Sequence, residues 1–200
     1  MPSLERWGET WRQLHGAADP KLYDQLMARY GEPHRKYHTA RHLEECFQKL
    51  DEVGTERPAE VELALWFHDA VYDTRRQDNE QKSADWARAS ALQAGVAREA
   101  AERVHELIMT TRHEAIPSGA DAELLIDVDL SILGAAPERF DEYERQIREE
   151  YGWVPAFVFR RKRAEILEGF LARPSIFSTV HFRSRYERQA RDNLARSLKK

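Results

Sequence analysis

An all-α fold, one bundle of about eight to ten helices, is what the sequence predicts. Three observations carry that reading. The 9 glycines and 8 prolines among 200 residues are few and fall between periodic segments. Apolar residues recur at intervals of three and four through most of the chain. No run alternates with the period of two that a half-buried strand requires.

Taken in order, Leu4, Trp7, Trp11 and Leu14 form one face of a first helix within residues 1–18. Leu22, Leu26 and Tyr30 form a second face, which Gly31-Glu32-Pro33 ends. Thr39 stands where an N-cap belongs, ahead of a stripe of Leu43, Cys46, Phe47 and Leu50. Pro58 opens the next helix, where its missing N–H is harmless, and Val61, Ala64, Leu65 and His68 follow as its stripe. Residues 79–94 and 97–112 read as two helices parted near Gly95, and Ile116-Pro117-Ser118-Gly119 reads as a loop. Four more helices are expected at 121–133, 137–150, 155–172 and 184–198. The whole chain, 1–200, reads as one domain, with 155–200 a C-terminal helical extension packed on it.

Composition narrows the function classes. Hydrophobic residues are 42% and charged residues 33%, the balance of a globular chain, which is long enough to bury a core unaided. No apolar run approaches the roughly 18 residues of a membrane span. The segment Met1-Pro2-Ser3-Leu4-Glu5-Arg6-Trp7 lacks the basic-then-apolar order of a secretory signal. Cys46 is the one cysteine, so no internal disulfide forms. A cytoplasmic protein is the expectation. The net charge of -4 gives no argument for a nucleic-acid partner. Arg-Arg-Lys-Arg at 160–163 and the basic tail from Arg183 read as solvated faces, or as a cluster drawing anionic substrates. Trp7 and Trp11 offer either core packing or a face for a homodimer.

The chemistry lies in histidines and acids. His34, His38 and His42 are spaced by four, with His38 at the entrance of the helix that Thr39 caps and His42 one turn inside. His68-Asp69 closes the apolar stretch Ala64-Leu65-Trp66-Phe67. A charge buried there needs a partner or a metal, because unpaired burial costs several kcal/mol. Asp127 and Asp129 interrupt the apolar run Leu124–Leu133 and, two apart, cannot face the same way on a helix. One of them should point to a site and the other elsewhere.

A histidine, a later His-Asp pair and a still later aspartate resemble the H…HD…D signature of the HD superfamily of metal-dependent phosphohydrolases. The spacing is 26 residues from His42 to His68 and 60 from Asp69 to Asp129. Tyr37-His38-Thr39-Ala40-Arg41-His42 also resembles the Tyr-His-Asn-x-x-His element of cyclic nucleotide phosphodiesterases. Over about residues 20–195 the chain is similar to a bacterial family of predicted HD phosphohydrolases. Ala-Leu-Trp-Phe-His-Asp-Ala-Val-Tyr-Asp, Asn79-Glu80 with Ser83-Ala84, Asp127-Val128-Asp129-Leu130 and Ala190-Arg191-Asp192-Asn193-Leu194 carry the likeness.

The resemblance implies an HD-type helical domain. It also implies a divalent ion (Mn, Fe, Co, Ni, Zn or Mg) held by His42, His68, Asp69 and Asp129, with Asp127 as the alternative fourth ligand. It implies hydrolysis of a small phosphate ester, of a nucleotide or a related molecule, by a metal-bound hydroxide, with His38 protonating the leaving oxygen. Glu80 and Asp73 are expected to assist the water or the metal network. His113, Arg112, Lys82 and Arg163 are expected to bind substrate phosphate. His105 and Cys46 read as packed core residues. His68 to Thr74 also resembles the His-Asp-x-x-Glu-Asp-Thr element of alarmone pyrophosphohydrolases, with Tyr72 where that family has glutamate. A deoxynucleotide nucleotidase, a non-catalytic metal or nucleotide-binding module and a two-iron oxygenase are the other readings.

Overall fold

The computed structural model describes residues 2–53, 59–113 and 115–199, all in helices and their connections, with no strand among them. The helices are α1 (Leu4–Gln13), α2 (Pro20–Tyr30), α3 (Ala40–Asp51), α4 (Ala59–Phe67) and α5 (Asn79–Gln93). They continue as α6 (Arg98–Thr110), α7 (Ala120–Asp129), α8 (Pro137–Glu150), α9 (Ala156–Ala172) and α10 (Val180–Ser197). A short 3-10 turn, Leu130–Gly134, follows α7. No described helix is long and apolar enough to cross a membrane.

The organising element is α4. Every residue from Val61 to Phe67 is buried, so this helix has no solvent face and belongs at the centre, with its one buried acid, Glu62, paired to Arg6. It packs against α1, α3, α5, α6 and α7. Trp66 meets Trp7 edge-on at 5.1 Å between ring centroids, a geometry that contributes about 0.5–1.5 kcal/mol beyond area burial. Trp7 and Trp11 are fully buried, so they form core rather than a dimer face. Pro58, the expected start of α4, lies outside the described residues.

Helix ends follow local chemistry. Ser3 caps α1, Asp19 caps α2 and Thr39 caps α3, each accepting a backbone N–H of the first turn. α1 is shorter than the span 1–18 expected for it. His15 turns into the left-handed region at φ 57°, and the Gly16 N–H returns to the Trp11 carbonyl at 2.9 Å.

The helix expected at 121–133 instead tightens into the 3-10 turn after Asp129. Gly134 lies so close to α10 that a Cβ would meet Tyr186 Cβ at 2.6 Å. Asn193 of α10 donates to the Leu133 and Ala135 carbonyls at 2.9 and 2.8 Å, satisfying carbonyls the tightened turn leaves free. α10 also begins earlier than the expected residue 184, at Val180, because Thr179 caps it. Its Phe182, Ala190 and Leu194 join the same core as Trp7 and Trp66.

Candidate metal centre and adjoining cavity

Four segments converge at the C-terminal end of α4. α3 presents His42 from its first turn, and α4 delivers His68 and Asp69 just past its last residue. α7 ends on Asp129, and His113 follows α6. His42 and His68 are 1% and 2% exposed. His42 Nε2 stands 3.2 Å from His68 Nε2 and 3.3 Å from Asp129 Oδ1. Asp69 Oδ2 lies 3.1 Å from His68 Nε2 and 3.6 Å from His42 Nε2. His113 Nε2 reaches the other Asp129 oxygen at 3.2 Å.

The donor set fits a cation. His68 Nδ1 donates to the Leu65 carbonyl at 2.8 Å, which fixes the tautomer and turns the Nε2 lone pair inward. Two imidazole nitrogens at 3.2 Å cannot both present lone pairs to empty space; a proton or a cation must sit between them. Burial works against a charged His68, but Asp69 and Asp129 outweigh it and raise its pKa to about 9. Burial also works against the charged carboxylates, yet the histidines hold Asp69 and Asp129 well below the usual range. The cluster therefore demands positive charge, which a divalent ion supplies while displacing protons. His42, Cys46, His68 and Asp129 bring donor atoms within 4.8 Å of one another and could hold a metal ion.

Cys46 is the unexpected member. It is buried in the core as expected, yet its Sγ lies 3.7 Å from both ring nitrogens of His42, so it also flanks the site one turn along α3. Asp127 is resolved in the opposite sense. Fully buried, it accepts the Ser178 and Thr179 N–H groups at 2.8 and 2.7 Å and the Thr179 hydroxyl at 2.7 Å. It is thus spent on the start of α10, and Asp129 alone faces the cluster.

His38 borders the centre. Its Nδ1 meets Glu150 Oε2 at 2.7 Å, and its ring stacks on Tyr72 at 4.2 Å. Burial lowers its affinity for a proton, but Asp69 and Glu150 raise it further, so its pKa lies above the ordinary value. Glu150, unforeseen in the sequence, accepts the N–H groups of Lys36, Tyr37 and His38 on Oε1 at 2.7, 2.8 and 3.0 Å. The Tyr72 hydroxyl donates to Oε2 at 2.7 Å. Arg35 is the second unforeseen residue. Only 3% exposed, it donates to the His38, Asp69 and Ala70 carbonyls at 3.1, 2.7 and 3.2 Å. It ties the His38 loop to the His68-Asp69 segment.

A cavity of about 780 Å³ opens beside the cluster, lined by His38, Glu80, Arg112, His113, Asp129 and Arg163 among others. His113 adopts φ 56°, a backbone conformation that costs a non-glycine residue energy and marks functional positions more often than chance. Arg112 has no ion pair with a described residue, so its charge is available to the cavity. Arg163 is matched by Glu144 and donates to the Tyr143 hydroxyl at 2.8 Å, and burial notwithstanding, those partners raise its pKa.

Two expected site residues are elsewhere. Asp73 is exposed and its Oδ1 accepts the Arg75 N–H at 2.9 Å, a turn role fitting its position. Lys82 pairs with Asp78 at 3.0 Å on the surface of α5. His105, expected in the core, is half-buried and pairs with Asp85 at 3.1 Å. No known protein family, curated protein or solved structure matches the chain.

Proposed function

We propose that the protein is a metal-dependent phosphohydrolase of the HD type, acting on a small phosphate ester. The observation that carries this is the convergence of His42, His68, Asp69 and Asp129 beside a cavity that also receives His38 and Arg112. A bound divalent ion would neutralise and polarise a phosphoryl group there. Arg112 binds the phosphate dianion, with His113 holding Asp129 in place. Glu150 fixes His38 by its Nδ1, which leaves Nε2 as the atom that carries a proton to the departing oxygen. Tyr72 occupies the position of the alarmone hydrolases' glutamate and gives its hydroxyl to Glu150, so position 72 itself offers no carboxylate to serve a water, which disfavours a pyrophosphohydrolase of that type.

The test is elemental analysis of the purified chain beside its Asp69→Ala variant, followed by a phosphate-release screen of esters with each candidate ion. Stoichiometric metal in the wild type, lost in the variant, with turnover of at least one ester, is the expected result. Equal metal content in both would overturn the centre. Bound metal with no turnover of any ester would leave a metal-binding module.

A further inference from the structure

The cavity beside the metal centre has two kinds of wall. The ends of α6 and α7 and the entrance of α3 supply Arg112, His113, Asp129 and His38. Helices α8 and α9 supply an apolar wall that includes Ile147, Phe159, Ile166 and Phe170. Ile166 leaves 50% of its surface open, as does Trp153, at 51%, in the loop between those helices. Large apolar side chains left open at a cavity mark a site for an apolar partner.

Most of the polar lining is already committed within the protein, and Glu80, Arg112 and Arg173 are the charged lining residues without an ion pair among the described residues. No asparagine or glutamine lines the cavity among the described residues. Thr111 donates to the Ile108 carbonyl, Thr74 accepts from the Trp153 indole, and Tyr143 accepts from Arg163. Lys162 and Arg163 face Glu165 and Glu144. Tyr151 is engaged with Tyr72. Among the described lining residues, Tyr37 keeps a buried hydroxyl without a partner. A purine presents several donors and acceptors on its edges, and those left unmatched on burial oppose binding. An apolar ester group has no such groups to satisfy.

We infer that the ester group is bulky and apolar, an aryl or alkyl alcohol, seated on Phe159, Ile166 and Phe170 while its phosphate faces Arg112 and the metal centre. This rests on reading the site as one for phosphate esters and narrows the ester. A cavity of about 780 Å³ accommodates both parts.

The experiment is calorimetric titration of the metal-loaded full chain with 1-naphthylmethylphosphonate, methylphosphonate and the 5′-phosphonates of adenosine and guanosine, none of which can be hydrolysed. The naphthyl compound should bind at least about tenfold more tightly than the other three. Ile166→Gln, at a half-exposed position that the fold tolerates, should weaken the naphthyl compound about threefold to tenfold and leave methylphosphonate unchanged. Phe170→Ala should act in the same direction. Equal or tighter binding of either nucleoside phosphonate, no gain from the naphthyl group over methylphosphonate, or no binding of any of them would overturn the inference. Hydrolysis of 1-naphthyl phosphate, followed alongside, separates the two claims. Tight binding without turnover would sink the hydrolase and leave this ligand class standing. Preferred turnover of nucleotides would do the reverse.

Discussion

Glu150 Oε2 and His38 Nδ1 lie 2.7 Å apart across 112 residues of chain. The carboxylate stands at the last position of α8, where the helix dipole disfavours negative charge. Five donors compensate it: three backbone N–H groups, the imidazole and the Tyr72 hydroxyl. The pair fixes the ring at the cavity wall and anchors α8 on the loop before α3.

That arrangement predicts acid-dependent stability. Burial alone would raise Glu150, but His38, the Lys36 N–H and Tyr72 together lower it from 4.5 to about 2. A carboxyl depressed in the folded state stabilises above its unfolded pKa and loses that contribution as pH falls through the folded one. Glu150 should therefore contribute on the order of 3 kcal/mol at pH 7, fading between about pH 4.5 and 2. In urea unfolding, Glu150→Gln should be less stable at neutral pH, with the gap closing below pH 4. A gap that stays constant across that range would refute the assignment.

Asp127 and Asp129 should separate stability from metal binding. Asp127→Asn removes the acceptor that organises Ser178 and Thr179 at the start of α10, and a cost of about 1–3 kcal/mol is expected. Metal content per folded chain should stay at the wild-type level. Asp129→Asn should show the opposite pattern, with metal affinity falling by more than the roughly 10–100-fold that loss of an outer partner causes. Thermal melts and metal titrations of the two variants decide it; matched losses in both would undo the division.

Much of this is legible in the sequence. Stripes at three and four, such as Trp7 with Trp11 and Leu43 with Cys46, placed the helices, because each had one apolar face to bury. The two-residue offset of Asp127 and Asp129 showed that they must face apart, though not which faced the cluster; that depends on where Thr179 comes to rest. Arg35 and Glu150 were invisible because their roles are to backbone groups of distant segments. An acid at the end of α8 was the available clue to Glu150. Asp73 reads as a site residue because it lies one turn after Asp69, and Lys82 because its charge suits a phosphate, but the turn at 73–78 carries both to the surface. The 3-10 turn after Asp129 had no local signal, since it answers to packing against Tyr186.

Cys46 and Asp69 compete for the place beside the two histidines. Asp69 Oδ2 approaches both imidazoles, at 3.1 and 3.6 Å, whereas Cys46 Sγ stands 3.7 Å from His42 and within 4.8 Å of the donor atoms of His68 and Asp129. The carboxylate should therefore coordinate and the thiol should pack against the site. Cobalt-substituted protein should show no thiolate-to-cobalt charge-transfer absorption, and Cys46→Ala should retain its metal. A sulfur band that vanishes in Cys46→Ala would reverse the roles and point to a softer ion such as zinc.

The close approach of Gly134 to α10 helps to hold Asp129 in place. A methyl group added at Gly134 would meet Tyr186 Cβ at 2.6 Å and its carbonyl oxygen at 2.9 Å. Neither atom is the free end of a flexible chain, so α10 or the 3-10 turn has to move. Gly134→Ala should cost about 1–3 kcal/mol as an overpacked contact. The turn begins one residue after Asp129, so metal affinity should fall as well, without any change to a ligand. Gly8 is the matched control: it sits inside α1 with nothing within 4 Å of an added Cβ. Gly8→Ala should stabilise the chain by about 0.5–1 kcal/mol by reducing the freedom of the unfolded state, and leave metal affinity alone. Chemical denaturation and metal titration of both variants test the pair, and an unchanged metal affinity in Gly134→Ala would break the link between the α10 contact and the centre.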